Sequence, residues 1–328
     1  MYDFQLEKVV SFIRSKNGRT VALQMPEGLK THALRLSDEI RERTGARCMI
    51  LGDPCYGACD VKTDFSRYAD LMIHFGHAEI PSLGTPDRVL YVEVSFPFNI
   101  EPLVLEALPL LGTKVGVITT IQHVKLVKDA IEILESNGKI GLAGKGDSRV
   151  LYPGQVLGCT ISSAVTVSDE VDSYLYMGSG NFHPLSVALE TGKNVIVIDP
   201  IMNEVRDLSD LRDKILRQRH AAIARSLDVN RFGILVSSKV GQQRLALALD
   251  LAFLLERKGK AGDIIIMEEI GPTQLMPYDV GAFVSTACPR LAIDDQMRYG
   301  KPILTPIELE IVLGERTWEN YHLDMING

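Results

Sequence analysis

Aromatic residues and cysteines are both scarce in this sequence. Of its 328 residues, 6% are aromatic, one is Trp and five are Cys. No uncharged apolar run approaches the roughly 20 residues that cross a bilayer, and the amphipathic start lacks the apolar centre of a signal peptide. These absences predict a cytoplasmic protein with no membrane partner, in which thiols stay reduced and act as ligands, nucleophiles or core residues rather than disulfides.

Clustered positive charge and nucleotide-binding motifs are also missing. The net charge is -7, and Lys and Arg are scattered, whereas a nucleic-acid groove needs clustered positive charge. We therefore predict no direct nucleic-acid partner. No Walker A or G-x-G-x-x-G sequence stands at a strand-to-helix turn, which leaves nucleotide hydrolysis without support. The 46% hydrophobic and 23% charged residues are typical of a globular protein, and the length indicates two or three domains.

One pattern occurs three times along the chain: an apolar run, a polar loop, an amphipathic helix and a second apolar run. The copies span residues 19–53, 113–147 and 231–269. A helical crossover of this length makes the two strands parallel. A third run and a last strand follow in each copy, as in "ADLMIHFGH" and "RVLYVEVSF".

This repetition predicts an α/β protein of three similar small domains, each a mainly parallel sheet flanked by helices, arranged around a central cluster site. The resemblance between copies fits either duplication or the general likeness of strand-helix-strand units. The predicted domains are 1–106, 107–225 and 226–328.

Three cysteines fall where parallel sheets bind ligands, beyond the carboxyl ends of the strands. Cys59 and Cys159 follow the second strands of the first and second domains, and Cys288 follows the third strand of the third domain. A shared site would lie where the three domains meet. Three thiolates suit a [4Fe-4S] cluster with one open iron or a zinc ion with one open position. Scattered buried thiols are the alternative.

The two other cysteines have different contexts. Cys48 lies inside a strand and reads as a small core residue. Cys55 and Cys59 form C-x-x-x-C, the start of the ordinary radical S-adenosylmethionine motif, but Lys62 stands where its third cysteine would be. The ordinary motif is therefore absent.

The stretches "DPCYGACD", "LGCT" and "ACPRLAIDD", in this order on three similar domains, resemble the diphthamide synthase subunits. The resemblance implies a non-conventional radical S-adenosylmethionine enzyme whose [4Fe-4S] cluster is held by Cys59, Cys159 and Cys288. It implies cleavage of the bond to the methionine γ-carbon and transfer of the 3-amino-3-carboxypropyl group to imidazole C2 of a histidine in translation elongation factor 2. It also implies a homodimer and a separate electron donor.

Two loops are candidates for contacts with S-adenosylmethionine. Gln24 and Glu27 lie in "QMPEGLK", the loop entering the first helix of the pattern, and offer polar groups. Gly178, Ser179 and Gly180 lie in "MGSGNFHP", where missing side chains let a ligand approach the backbone. A tight strand-to-helix turn explains the glycines equally well.

Other polar residues stand near these motifs without a clear assignment. His74, His77 and His183 lie at or just after third strands, where a ligand or a hydrogen-bonded structural histidine is expected. Arg290 and Asp60 flank predicted cluster cysteines and fit either contacts around the cluster or surface ion pairs.

Two other functions remain open at the level of sequence. A quinolinate-synthase-like dehydratase also assembles a cluster from one cysteine on each of three similar α/β domains, and it would act without S-adenosylmethionine. A catalytically silent subunit that serves as a scaffold or electron relay is the third possibility.

Overall fold

Three separate sheets follow one another along the chain in the computed structural model, which describes residues 2–326. Each sheet begins with the same strand order, second-first-third-fourth. The predicted α/β class with three similar, mainly parallel sheets is confirmed. None of the helices within residues 2–326 is long and apolar enough to cross a membrane.

The first unit has four parallel strands in the order β2-β1-β3-β4. Every residue of the third strand is buried, as expected for an interior strand covered on both faces. Its elements are α1 (Leu6–Ser15), β1 (Thr20–Gln24), α2 (Ala33–Thr44), β2 (Arg47–Ile50), β3 (Leu71–Phe75), β4 (Val89–Val92) and α3 (Glu101–Ala107).

The second unit repeats this order and adds one strand, giving β6-β5-β7-β8-β9. The added strand pairs antiparallel with its neighbour at the sheet edge, a feature that the sequence pattern did not predict. Its elements are β5 (Lys114–Thr119), α4 (Val127–Ser136), β6 (Ile140–Leu142), α5 (Ser162–Val165), β7 (Ser173–Met177), α6 (Phe182–Thr191), β8 (Asn194–Asp199), β9 (Glu204–Asp207) and α7 (Ser209–Ser226).

The third unit has the parallel order β11-β10-β12-β13. Thr305 caps its last helix: the Thr305 hydroxyl accepts from the Glu308 backbone N–H, and the Glu308 carboxylate accepts from the Thr305 backbone N–H. Its elements are β10 (Arg231–Ser237), α8 (Leu245–Arg257), β11 (Ala261–Met267), α9 (Pro272–Leu275), β12 (Ala282–Ser285), α10 (Arg290–Ile293), β13 (Ile303–Leu304) and α11 (Pro306–Val312).

Two helices connect the units. Leu103 and Val104 of α3 are buried in the core of the second sheet, and Ala222 and Ile223 of α7 are buried in the core of the third. The predicted boundaries near residues 106 and 225 fall inside these helices, close to the connecting loops 93–100 and 227–230. The division into three domains at those positions stays a prediction.

Candidate metal centre

Loops from the carboxyl ends of all three sheets line one cavity of about 280 Å³. Cys59, Cys159 and Cys288 lie in its wall, one from each unit. The wall also carries apolar side chains, among them Ile121, and Phe182 at the start of α6. Because parallel strands end at a common sheet edge, residues far apart in sequence converge here.

Cys59 sits in the one-turn 3-10 helix Ala58–Asp60 after β2, and the third unit packs directly against it. The Gln242 side-chain amide donates to Cys59 Sγ at 3.2 Å. The neighbouring Gly241 is so close that an added Cβ would lie 2.5 Å from the Cys59 Cβ. The absence of a side chain at Gly241 therefore permits the contact between the first and third units at this thiol.

Cys159 is 9% exposed and lies in a tight loop between β6 and α5. An isolated backbone bridge between Leu157 and Thr160 folds this loop. The Arg149 guanidinium donates from Nη2 to Cys159 Sγ at 3.5 Å and to the Gly241 carbonyl at 3.2 Å. The loop around Gly241 thus contacts both of the other units.

Cys288 follows β12 and precedes α10. Burial raises the pKa of its thiol to about 12, with a further contribution from Cys159. Burial, followed by the charges of Asp60, Cys159 and Cys288, likewise raises the pKa of Cys59 well above its usual range. Burial is the main cause of both shifts, and a thiol with a raised pKa stays protonated at neutral pH unless a bound cation stabilises its thiolate.

The donor set fits an iron–sulfur cluster. Soft thiolates from three sides select Fe–S clusters, zinc or copper(I). Cys59 and Cys159 each accept a hydrogen bond from a side-chain N–H, as cluster sulfurs commonly do. Within residues 2–326, no carboxylate forms an ion pair with Arg149, and its Nε has no hydrogen-bond partner. A buried cation in this position suits a negatively charged group held by the cysteines.

Ion pairs connect the first and third units beside the cavity. Lys239 lies 3.1 Å from the Asp60 carboxylate and 2.6 Å from that of Glu269. Burial alone would lower the pKa of Lys239, but the hydrogen bonds and charges of Glu269 and Asp60 raise it above its usual range. Lys62 pairs with Glu268 at 2.7 Å across the same junction. Asp60 therefore forms an ion pair between units rather than a solvent-exposed surface pair.

Two histidines line the cavity as neutral imidazoles. Burial first, and then a neighbouring charge, lowers the pKa of both His77 and His183 to about 4. His74 lies behind them, fully buried, with Nε2 2.9 Å from His77 Nδ1 and Nδ1 3.0 Å from Gln24 Oε1. Since Gln24 Oε1 also accepts from the Lys62 backbone N–H, His74 Nδ1 must donate, and its Nε2 must then accept from His77.

A second group of possible metal ligands adjoins this chain of side chains. Cys55, His74 and His77 each bring one ligand atom to within 4.8 Å of the others. Both imidazoles are already hydrogen-bonded to one another, and burial raises the pKa of the Cys55 thiol to about 12. Hydrogen bonds therefore occupy both ring nitrogens of His74 and Nδ1 of His77.

The residues predicted to hold S-adenosylmethionine lie in different places. Gln24 is buried beneath the Cys59 turn, where its amide donates to the Asp60 carbonyl at 2.8 Å. Glu27 is exposed and pairs with Lys30 at 2.6 Å. Neither side chain lines the three-cysteine cavity. Their predicted contacts with the cosubstrate stay predictions, although Gln24 already uses its amide in internal hydrogen bonds.

The glycine-rich loop after β7 borders a second cavity of about 270 Å³. Ser179 lines it, and Gly178 and Gly180 have φ angles of 147° and 75°, which favour glycine. Thr120, Gln122 and His183 line both this cavity and the three-cysteine cavity. The two cavities therefore adjoin, and the glycine loop lies within reach of their junction.

Sequence reasoning missed two polar residues of the site. Gln242 lies 183 residues from Cys59 and Arg149 lies 92 residues from Gly241, so no local motif joins them. Arg290, which flanks a predicted cluster cysteine in the sequence, lies over the Phe182 ring at 5.5 Å and pairs with Asp294 at 3.0 Å. The one sequence feature that could have indicated Arg149 is its position ten residues before Cys159.

Comparison with known proteins assigns the chain to a family. Residues 25–322 match the model of the diphthamide synthesis protein family. The chain belongs to the diphthamide synthesis family. It is 36% identical to the 2-(3-amino-3-carboxypropyl)histidine synthase of Pyrococcus horikoshii over 100% of this chain and 95% of the relative. Subunit 1 of the corresponding synthase from Gallus gallus is 32% identical over 98% of this chain and 80% of the relative.

A solved structure supports the same assignment. The crystal structure of Dph2 from Pyrococcus horikoshii with a 4Fe-4S cluster superimposes with a TM-score of 0.91 and 34% identity, over 100% of this chain and 95% of that chain. The resemblance to diphthamide synthases expected from the three cysteine motifs is confirmed. A family match over most of the chain goes against the quinolinate-synthase-like alternative.

Proposed function

We propose that this chain transfers the 3-amino-3-carboxypropyl group of S-adenosylmethionine to imidazole C2 of a histidine in translation elongation factor 2. The observation that carries the proposal is the meeting of Cys59, Cys159 and Cys288 in one cavity, in a chain whose Pyrococcus horikoshii relative has a 4Fe-4S cluster. The relatives are named 2-(3-amino-3-carboxypropyl)histidine synthases, which supports the transferred group and the histidine acceptor.

In this proposal the three thiolates hold a [4Fe-4S] cluster by three of its irons. When bound, such a cluster supplies an electron to a sulfonium at its open iron. The cavity's apolar wall, with Ile121 and Phe182, excludes water from a reactive carbon species. The distribution of the cysteines over three sheets explains why the ordinary C-x-x-x-C-x-x-C motif is unnecessary.

The overall reaction releases one proton and consumes no net electron. The bond from sulfur to the methionine γ-carbon breaks as the sulfonium takes up one electron, and methylthioadenosine leaves. A carbon–carbon bond then forms at imidazole C2, and the adduct gives up its C2 hydrogen as a proton and returns one electron. His77 and His183, with pKa values lowered to about 4, are neutral at pH 7. They therefore add no positive charge beside the sulfonium of the cosubstrate.

We place S-adenosylmethionine across the junction of the two adjoining cavities. The support is the shared lining by Thr120, Gln122 and His183 and the positive φ angles of Gly178 and Gly180, which keep the adjacent backbone open. We further propose a cytoplasmic homodimer that receives electrons from a separate donor, since reduced thiols suit that compartment and two-fold dimers are the commonest assembly.

The test is an anaerobic incubation of reconstituted protein with dithionite, S-adenosylmethionine and purified elongation factor 2. We expect methylthioadenosine and a mass increase on one histidine of the factor, both dependent on reduction. Deoxyadenosine as the main product would contradict the proposed bond cleavage. Reduced, cluster-loaded protein that forms neither product would favour the silent subunit, and dehydration of a small acid would favour the dehydratase.

A further inference from the structure

Arg149 is a buried cation without a carboxylate partner. Arg149 is only 3% exposed. Within residues 2–326 its Nε has no hydrogen-bond partner, and its Nη2 donates to Cys159 Sγ and to the Gly241 carbonyl. Asp147, two residues earlier, accepts from the Arg149 backbone N–H and from the Thr160 hydroxyl. No ion pair of Arg149 occurs among the described residues.

This arrangement is unfavourable in the protein alone. A guanidinium withdrawn from water and left without an anion costs several kcal/mol in general. The buried Arg219, by contrast, pairs with Glu308, as does the partly buried Arg244 with Asp324 at 2.5 Å. Of the two acceptors of its Nη2, the Gly241 carbonyl is neutral and the Cys159 thiol can ionise, so Cys159 is the one that can supply a compensating negative charge.

We propose that Arg149 is a positioning residue that compensates the negative charge of the cluster at Cys159 and raises the cluster's reduction potential. The inference rests on the proposed role of Cys159 as a ligand. Each thiolate adds a negative charge, and reduction adds another, so a buried cation beside the sulfur stabilises the reduced state more than the oxidised state. The 3.5 Å contact adds an N–H donor to that sulfur.

The same side chain also fixes the site between units. Arg149 belongs to the second unit, and its second acceptor, the Gly241 carbonyl, belongs to the third. Gly241 in turn packs against Cys59 of the first unit. Compensating the charge at Cys159 therefore also orients the loop that supports Cys59.

The test compares Arg149→Met, which removes the charge, and Arg149→Lys, which retains it, with Arg231→Met. Arg231 is a suitable control because it is the first residue of β10, at the sheet end opposite the cavity, and forms an exposed ion pair with Asp263. Iron and sulfide contents, the reduction potential from an electron paramagnetic resonance titration, and the melting temperature of the cluster-free protein are measured for each.

We expect the lowest potential for Arg149→Met, an intermediate one for Arg149→Lys, and the wild-type value for Arg231→Met. Cluster-free Arg149→Met should melt near the wild-type temperature, because removal of an uncompensated buried charge offsets the lost hydrogen bond to the Gly241 carbonyl. If Arg149→Met binds no iron while Arg149→Lys binds a full cluster, the positive charge is needed for cluster binding, which also supports the proposal. A loaded Met variant with the wild-type potential overturns it, and a lower melting temperature beside that unchanged potential assigns Arg149 a purely structural role.

The experiment distinguishes failure of the proposed function from failure of the proposed role of Arg149. Wild-type protein that takes up no cluster would contradict both proposals. Wild-type protein that takes up a cluster, with Arg149 variants that keep its potential, would contradict only the role of Arg149.

Discussion

Gly241→Ala perturbs the contact through which the third unit reaches Cys59. The added Cβ would lie 2.5 Å from the Cys59 Cβ and 2.6 Å from its Cα. These atoms move only with the backbone, so the two loops must separate by roughly 1 Å to restore ordinary van der Waals contact. Overpacking of this kind destabilises proteins by about 1–3 kcal/mol. Because metal–ligand distances tolerate only about 0.2 Å, the displacement should also prevent cluster binding.

The assay has two parts, urea unfolding of the cluster-free protein and iron content after anaerobic reconstitution. Gly300→Ala is the matched control, since Gly300 is exposed, lies in the same unit and has nothing within 4 Å of an added Cβ. It should change the free energy of unfolding by no more than about 0.5 kcal/mol. Gly241→Ala with wild-type stability and full iron content would refute the three-unit junction.

Three further predictions concern the rest of the molecule. The pKa of His77 is lowered to about 4, so the stability of cluster-free protein should fall as pH drops from 6.5 towards 4, by up to about 1.4 kcal/mol per pH unit; a His77→Gln variant with an equal slope in acid unfolding would contradict this. Light scattering should give twice the 36.2 kDa chain mass, and a purely monomeric sample would reject the homodimer. Limited proteolysis should cut cluster-free protein faster in 93–100 and 227–230 than reconstituted protein, with unchanged far-ultraviolet dichroism; identical patterns would reject a cluster that clamps the units.

The repeated fold could be predicted because each copy carries its own local signals. Helix α2 ends at Gly45, whose φ of 75° forms the expected left-handed cap, and apolar positions such as Ala130 and Leu134 of α4 are buried at helical spacing. The antiparallel β9 could not be predicted, because its sequence, "EVRD", has little apolar content. Only its pairing with β8 makes it a strand.

The convergence of the cysteines could be anticipated because each follows a strand at the carboxyl edge of its sheet, whereas the side chains around them could not. Gln242 reaches Cys59 from the third unit, and Arg149 reaches Cys159 from ten residues earlier in the same unit, outside any motif around that cysteine. The hydrogen bonds of Gln24 could not be predicted either, because they depend on the pairing of β1 with β3, which places Gln24 opposite His74. Its predicted contact with S-adenosylmethionine stays a prediction.

The central claim is that one thiol from each unit holds a single cluster, and iron analysis of single cysteine variants tests it most directly. Wild-type protein reconstituted without oxygen should contain about four irons and four sulfides per chain, and Cys59→Ala, Cys159→Ala and Cys288→Ala should each lose most of this content and the associated absorbance. Cys48→Ala, at a residue that packs against the first core, and Cys55→Ala should retain it. Full iron in any of the first three variants, or its loss in Cys55→Ala with retention in Cys59→Ala, would contradict the account.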